Sequence, residues 1–188
     1  MENFSIYKDI KERTAGDIYI GVVGPVRCGK STFITNFMQK LVIPNIKNKH
    51  VRERTVDELP QSAEGLTIMT TQPKFVPNKA VRINLGTNLD LNVRMIDSVG
   101  YLISGALGHT ENDKPRLVKT PWQEEKIPFE DAAEIGTKKI IEDHSTIGLV
   151  FTTDGTINDI PRSAYVESEE KVIVIGSYRA YVNGMWFR

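Results

Sequence analysis

The segment Gly24-Pro25-Val26-Arg27-Cys28-Gly29-Lys30-Ser31 fits the pattern G-x-x-x-x-G-K-[ST]. Glycines at the two ends let the backbone curl until successive amide hydrogens converge on one point, a geometry suited to phosphate oxygens. In such a loop the lysine, Lys30, reaches the β- and γ-phosphates of a nucleotide. The hydroxyl of Ser31 ligates magnesium, and Thr32 continues into the helix. Two further pieces fit the same chemistry. Asp97-Ser98-Val99-Gly100 follows an apolar run; there an aspartate holds the magnesium hydration shell and the amide of Gly100 meets the γ-phosphate. Thr67-Ile68-Met69-Thr70-Thr71 lies between the two pieces, where switch-type NTPases place a threonine that senses the γ-phosphate through magnesium. Spacing alone does not choose between Thr70 and Thr71.

The elements that must position these residues are legible in the apolar pattern. Ile18 to Val23 reads as a buried parallel strand entering the loop. Phe33, Ile34, Phe37, Met38, Leu41 and Val42 recur at helical spacing, and Pro44 stops that helix. Residues 45–66 are polar, with room for a short helix before Pro60. Val81–Leu85 and Leu89–Ile96 flank Gly86-Thr87-Asn88 as a hairpin. Residues 101–128 read as loop, Phe129–Asp143 as a helix with Ala132, Ala133, Ile140 and Ile141 inward, Ile147–Thr153 as a strand and Arg162–Val174 as a helix. Strands alternating with helices predict a three-layer α/β fold. A threonine, an antiparallel hairpin and then D-x-x-G is the order of the translation-factor and Ras-like GTPase class. The domain expected is therefore a P-loop NTPase over residues 17–175, incomplete at its C-terminus, with an arm at 1–16 and an aberrant tail at 176–188.

Composition bounds the alternatives. The 188 residues carry 24 lysines and arginines against 24 aspartates and glutamates, so no basic excess points to nucleic acid. One cysteine excludes an internal disulfide, and the three histidines have no ligand spacing. No signal peptide or transmembrane segment is legible, and a cytoplasmic protein is expected. Tyr101 stands where Ras-like enzymes carry a glutamine, and an N-K-x-D guanine signature is absent. ATP and GTP stay open on the motifs alone.

Longer strings carry a family resemblance. Asp17-Ile18-Tyr19-Ile20-Gly21-Val22-Val23-Gly24, Asp57-Glu58-Leu59-Pro60-Gln61-Ser62-Ala63, Thr67 to Pro77, Glu134-Ile135-Gly136-Thr137 and His144-Ser145-Thr146-Ile147-Gly148 resemble the stage IV sporulation protein A family, the spore-coat morphogenetic ATPases. The resemblance runs from about Phe4 to about Val172. It implies ATP and Mg2+ as ligands. It implies hydrolysis that drives self-assembly into a polymer, the basement layer of the coat at the forespore outer surface. It also implies contacts with spore-coat proteins and with a small membrane-associated anchor peptide through regions beyond this domain. In the resemblance Lys30 is the P-loop lysine, Asp97 the magnesium-associated aspartate, and Thr70 and Thr71 the γ-phosphate sensors. Members of the family are longer than this chain, and the text after Val172 departs from them. The missing strands would leave an unprotected sheet edge. A GTPase-type switch and a non-catalytic truncated remnant are the alternative readings.

Some residues are assigned blander roles. Cys28 and Arg27 read as loop residues, although a phosphate-facing amide array could lower a thiol pKa. The run Glu167-Ser168-Glu169-Glu170 reads as a solvated helix face, and Trp122 as packing.

Overall fold

The computed structural model describes residues 16–60, 72–84, 90–103, 108–111, 114–153, 160–177, 181–182 and 185–187; beyond residue 171 only the backbone is described. Its centre is a six-stranded mixed sheet. Strand β1 (Asp17–Val23) runs parallel to β3 (Asp90–Asp97) on one side and to β8 (Ile147–Val150) on the other. Strand β2 (Lys74–Asn84) lies antiparallel on β3 at one edge. At the other edge β10 (Met185–Phe187) lies antiparallel on β8 and is followed outward by β9 (Tyr181–Val182).

Alternation along β1 explains the layering, because successive side chains leave a strand on opposite faces. Val22 packs with Ile34 and Met38 of the first helix, together with Val81, Val93 and Met95. Its neighbour Val23 packs on the other face with Ile140, Ile141 and Tyr101. Helix α1 (Lys30–Phe37) continues through a π-helical turn, Met38–Val42, into a 3-10 turn that contains Pro44. Proline lacks the amide needed to extend the helix but is tolerated in the first turn of a new one. Helix α2 (Lys49–Asp57) is capped by Asn48, whose side chain accepts from the Val51 amide at 3.1 Å. Helix α3 (Phe129–Lys139) ends in a π-helical turn at Ile140–His144 and buries Ala132, Ala133, Ile140 and Ile141, as the periodicity predicts. A 3-10 turn at Arg162–Tyr165 leads into α4 (Val166–Ser177).

Several expectations change. Strand β2 begins at Lys74, seven residues before the expected start at Val81. Pro73 and Pro77 hide it in the sequence, but proline is accepted on an edge strand, and the pairing skips between Val76 and Val81. Arg94 fills that irregularity: its guanidinium donates to the carbonyls of Pro77 (3.2 Å) and Asn78 and lies 3.8 Å from the centre of the Phe75 ring. The antiparallel hairpin stands, with Asn84 opposite Asp90, while its connection at 85–89 lies outside the described residues. The span 101–128 is not all loop. It holds two small antiparallel ribbons, Thr110–Glu111 with Lys114–Pro115 and Leu117–Val118 with Ile127–Pro128.

The β8 edge, expected bare, carries a strand, and the outermost position passes to β9. Residues 181–182 and 185–187, within the stretch read as an aberrant tail, form strands, and β10 takes the hydrogen-bonding edge of β8. Helix α4 runs to Ser177, three residues past the expected helix end at Val174. Among the described residues no helix is long and apolar enough to cross a membrane.

Candidate nucleotide site

The loop after β1 is shaped by backbone that only certain residues tolerate. Gly24 has φ 148°, and a Cβ there would lie 2.3 Å from the Phe151 carbonyl oxygen. Glycine therefore lets the end of β8 close on the loop, where the Phe151 amide donates to the Val23 carbonyl at 2.8 Å. From the other side, Pro25 bridges Tyr101, and the Val26 amide donates to the Tyr101 carbonyl at 2.8 Å. Arg27 and Gly29 both adopt left-handed φ, 64° and 89°. Gly29 is exposed and forms the N-cap of α1, which has no side-chain cap. Gly29 brings no side chain to the start of α1, so the positive end of the helix dipole meets the loop without a side-chain cap.

Lys30 turns back into this loop. It is 5% exposed, and its ammonium donates to the carbonyls of Pro25 (2.5 Å) and Gly24 (3.2 Å). Gly100, at φ 93°, makes room for it: a Cβ there would stand 2.5 Å from Lys30 Nζ and 2.6 Å from the Gly24 carbonyl oxygen. The two sequence pieces, 24–31 and 97–100, therefore meet, because β1 and β3 are parallel neighbours whose C-terminal ends lie together.

Asp97 closes the cluster. The Ser31 hydroxyl donates to Asp97 Oδ2 at 2.6 Å, while Oδ1 is buried without a partner. Burial raises the Asp97 pKa above the usual carboxylate value; the Ser31 hydrogen bond and the nearby Lys30 and Lys74 ammoniums oppose that rise. Lys74 is a neighbour that no motif flags. It is opposite Asp97 only because of the β2–β3 register.

An orphaned carboxylate oxygen beside a serine hydroxyl fits a hydrated magnesium ion, whose bound waters donate hydrogen bonds. Among the described residues no cluster of three or more His, Cys, Asp or Glu could hold a metal by itself. The donor set thus suits an ion that takes its remaining ligands from phosphate and water.

The other expected residues divide. Thr70 and Thr71 lie outside the described residues. Thr32 is exposed on the first turn of α1. Tyr101 is 3% exposed and packs among Val23, Ile96, Ile140 and Ile141, so its side chain is core and its backbone braces the loop. Burial also pushes its phenol pKa well up. Cys28 is buried, and desolvation pushes its thiol pKa up, against the opposing pull of Lys30. The loop therefore does not activate the thiol.

The acidic run on α4 is corrected. Ser168 is buried and donates to the Leu102 carbonyl. Glu169 accepts from Thr152, just beyond β8, and from Arg162 at 2.6 Å. These two residues dock α4 against the segments that follow β3 and β8. The run of like charges concealed them, because nothing local distinguishes the inward pair from Glu167 and Glu170.

Fold and site together define an α/β domain compatible with the P-loop ATPases. The family model described as "Stage IV sporulation protein A, ATPase domain" matches residues 1–176. The chain belongs to this family. It is 61% identical over 173 residues to the Stage IV sporulation protein A of Bacillus anthracis and, equally, to that of Bacillus subtilis (strain 168). It is 62% identical over 171 residues to that of Clostridioides difficile (strain 630). These alignments cover 91–92% of this chain and 35% of each relative, so the chain spans about a third of their length. No solved structure matches.

Proposed function

We propose that this domain binds ATP with Mg2+ at residues 24–32, 97 and 100 and hydrolyses its terminal phosphoanhydride. The observation that carries this reading is Asp97, held by Ser31 at 2.6 Å with a buried oxygen left over, beside an uncapped helix start. The amides from Arg27 to Thr32 receive the phosphates. The Lys30 ammonium, already held at the loop by the Gly24 and Pro25 carbonyls, supplies a fixed positive charge toward the β- and γ-phosphates. Ser31 and Asp97 are the protein's ligands toward the hydrated ion, which when bound neutralises phosphate charge. Gly100 offers its amide to the γ-phosphate, and Thr70 and Thr71 are assigned as its sensors. The strand order and the hairpin before Asp97 favour the translation-factor-like branch of P-loop proteins.

For the whole-length protein we infer that hydrolysis drives assembly of the spore-coat basement layer in the cytoplasm, at the forespore outer surface. Self-assembly into a polymer and contacts with coat proteins and a small membrane-associated peptide belong to the same reading. Family membership and the sporulation name of the relatives support it.

Equilibrium binding of ATP and GTP with Mg2+, on wild type and Lys30→Ala, tests the site. ATP is expected to bind, to be preferred over GTP, and to lose at least about tenfold in affinity in Lys30→Ala. A folded wild-type sample that binds no ATP would overturn the assignment. So would a Lys30→Ala variant that binds ATP undiminished.

A further inference from the structure

Among the described residues a concave surface lies apart from the nucleotide site. Across the sheet from β8, a groove of about 540 Å³ runs between the segment that leads into α2 and residues 79–84 of β2, with Asp90 of β3 at one end. β2 is the last strand at its edge of the sheet, so the outward amides and carbonyls of residues 79–84 have no strand partner among the described residues. Four basic residues line the groove, Lys47 and Arg54 from the helix side and Lys79 and Arg82 from the strand, against one acidic residue, Asp90. All four basic side chains belong to exposed residues. Arg82 is paired with Asp90 at 2.8 Å and Arg54 loosely with Glu58 at 3.8 Å. Lys47 and Lys79 therefore set the character of the opening.

Cations on an edge strand discourage pairing between identical edges, because two copies would bring Lys79 and Arg82 against one another. That explains a charged edge but not a charged far wall. Lys47 and Arg54 come from a different element, and they leave a channel with a strand edge on one side and positive charge on both. We propose that this groove is a docking site for an extended acidic segment of a partner protein, which adds to β2 as a further strand. Main-chain hydrogen bonds to residues 79–84 would supply the pairing, and acidic side chains on the helix-facing side of the added strand would meet Lys47 and Arg54, while any on its other face would meet Arg82.

The probe is a fluorescent, acetylated peptide of alternating glutamate and valine, about six residues long. Its anisotropy is followed against the full chain, with a lysine–valine peptide and an N-methylated glutamate–valine peptide as controls. The expected result is binding of the first peptide alone, weakened at least about tenfold by Lys47→Glu with Lys79→Glu and unchanged by Lys30→Ala. Amide exchange on the unsubstituted chain gives a second readout that does not depend on variants folding. Residues 79–84 should exchange more slowly with the peptide bound. Absence of binding overturns the proposal, as does equal binding of the N-methylated peptide, which cannot pair with a strand. Inorganic tripolyphosphate that displaces the peptide at lower concentration, with no slowing of exchange on β2, would make the groove a simple anion site and also overturn it.

Discussion

Asp97 carries the sharpest prediction at the scale of a residue. Its folded-state pKa is raised by burial more than Ser31, Lys30 and Lys74 lower it. A carboxyl whose folded pKa lies above its unfolded value binds its proton more tightly when folded. The stability it lends is then present at low pH and is lost as pH rises through the folded pKa. At neutral pH the ionised side chain is thus a stability cost in the magnesium-free protein. Asp97→Asn keeps an acceptor for Ser31 and removes the charge. It is expected to melt at or above the wild-type temperature at pH 7, while Mg2+-dependent ATP binding falls at least about tenfold. Thermal melts over a pH series and a magnesium titration check the two halves. An Asn variant that melts lower at neutral pH would contradict the burial reading. The motif named Asp97, but Lys74 was invisible to it, because its place beside Asp97 depends on the register of β2 against β3.

At the scale of elements, the site rests on close approaches that the sequence marks only as glycine. A Cβ on Gly21 would lie 2.0 Å from Ser145 Oγ and 2.8 Å from Ile140 Cγ2, at the turn that ends α3. Gly21→Ala must push that turn off the sheet. A loss of about 1–3 kcal/mol is expected, read by denaturant unfolding. Arg94 is the matching device on β2, where it satisfies the Pro77 and Asn78 carbonyls and covers Phe75. Arg94→Ala leaves those carbonyls without their donor and should destabilise by about 1–3 kcal/mol, with faster amide exchange in β2 than in β1. Equal exchange in both strands would mean that the irregularity holds without it. The arginine looked like an ordinary polar position of an alternating strand. Its task arises from a register skip on the neighbouring strand, and strand patterning does not encode that skip.

At the scale of the whole molecule, the outer edge of β8 is covered by β10. The β10 backbone pairs Met185, Trp186 and Phe187 with Leu149, Gly148 and Ile147. Shortening the chain after Ser177 removes that partner and exposes an apolar strand that abuts the phosphate loop through Phe151. Such a variant is expected to aggregate faster at equal concentration, measured by light scattering, because an open edge templates pairing with other chains. Unchanged scattering would show that β8 is protected by other means. The family match ends at residue 176. The strand that covers β8 is therefore supplied by text outside the matched region.

By itself the sequence determined the strand–loop–helix at Gly24–Ser31, the aspartate at a strand end, the inward face of α3 and the family. These are local patterns. A left-handed loop needs glycine where it bends, and an amphipathic helix must repeat its apolar residues every three or four positions. Only the tertiary structure decided that Lys30 shares space with Gly100, that Glu169 faces Thr152 and that Lys74 sits by Asp97. It alone decided that β10 closes the edge of β8. Each of these contacts joins residues far apart in the chain, and the alignment that joins them is fixed by strand register and helix docking, which no short window of sequence contains.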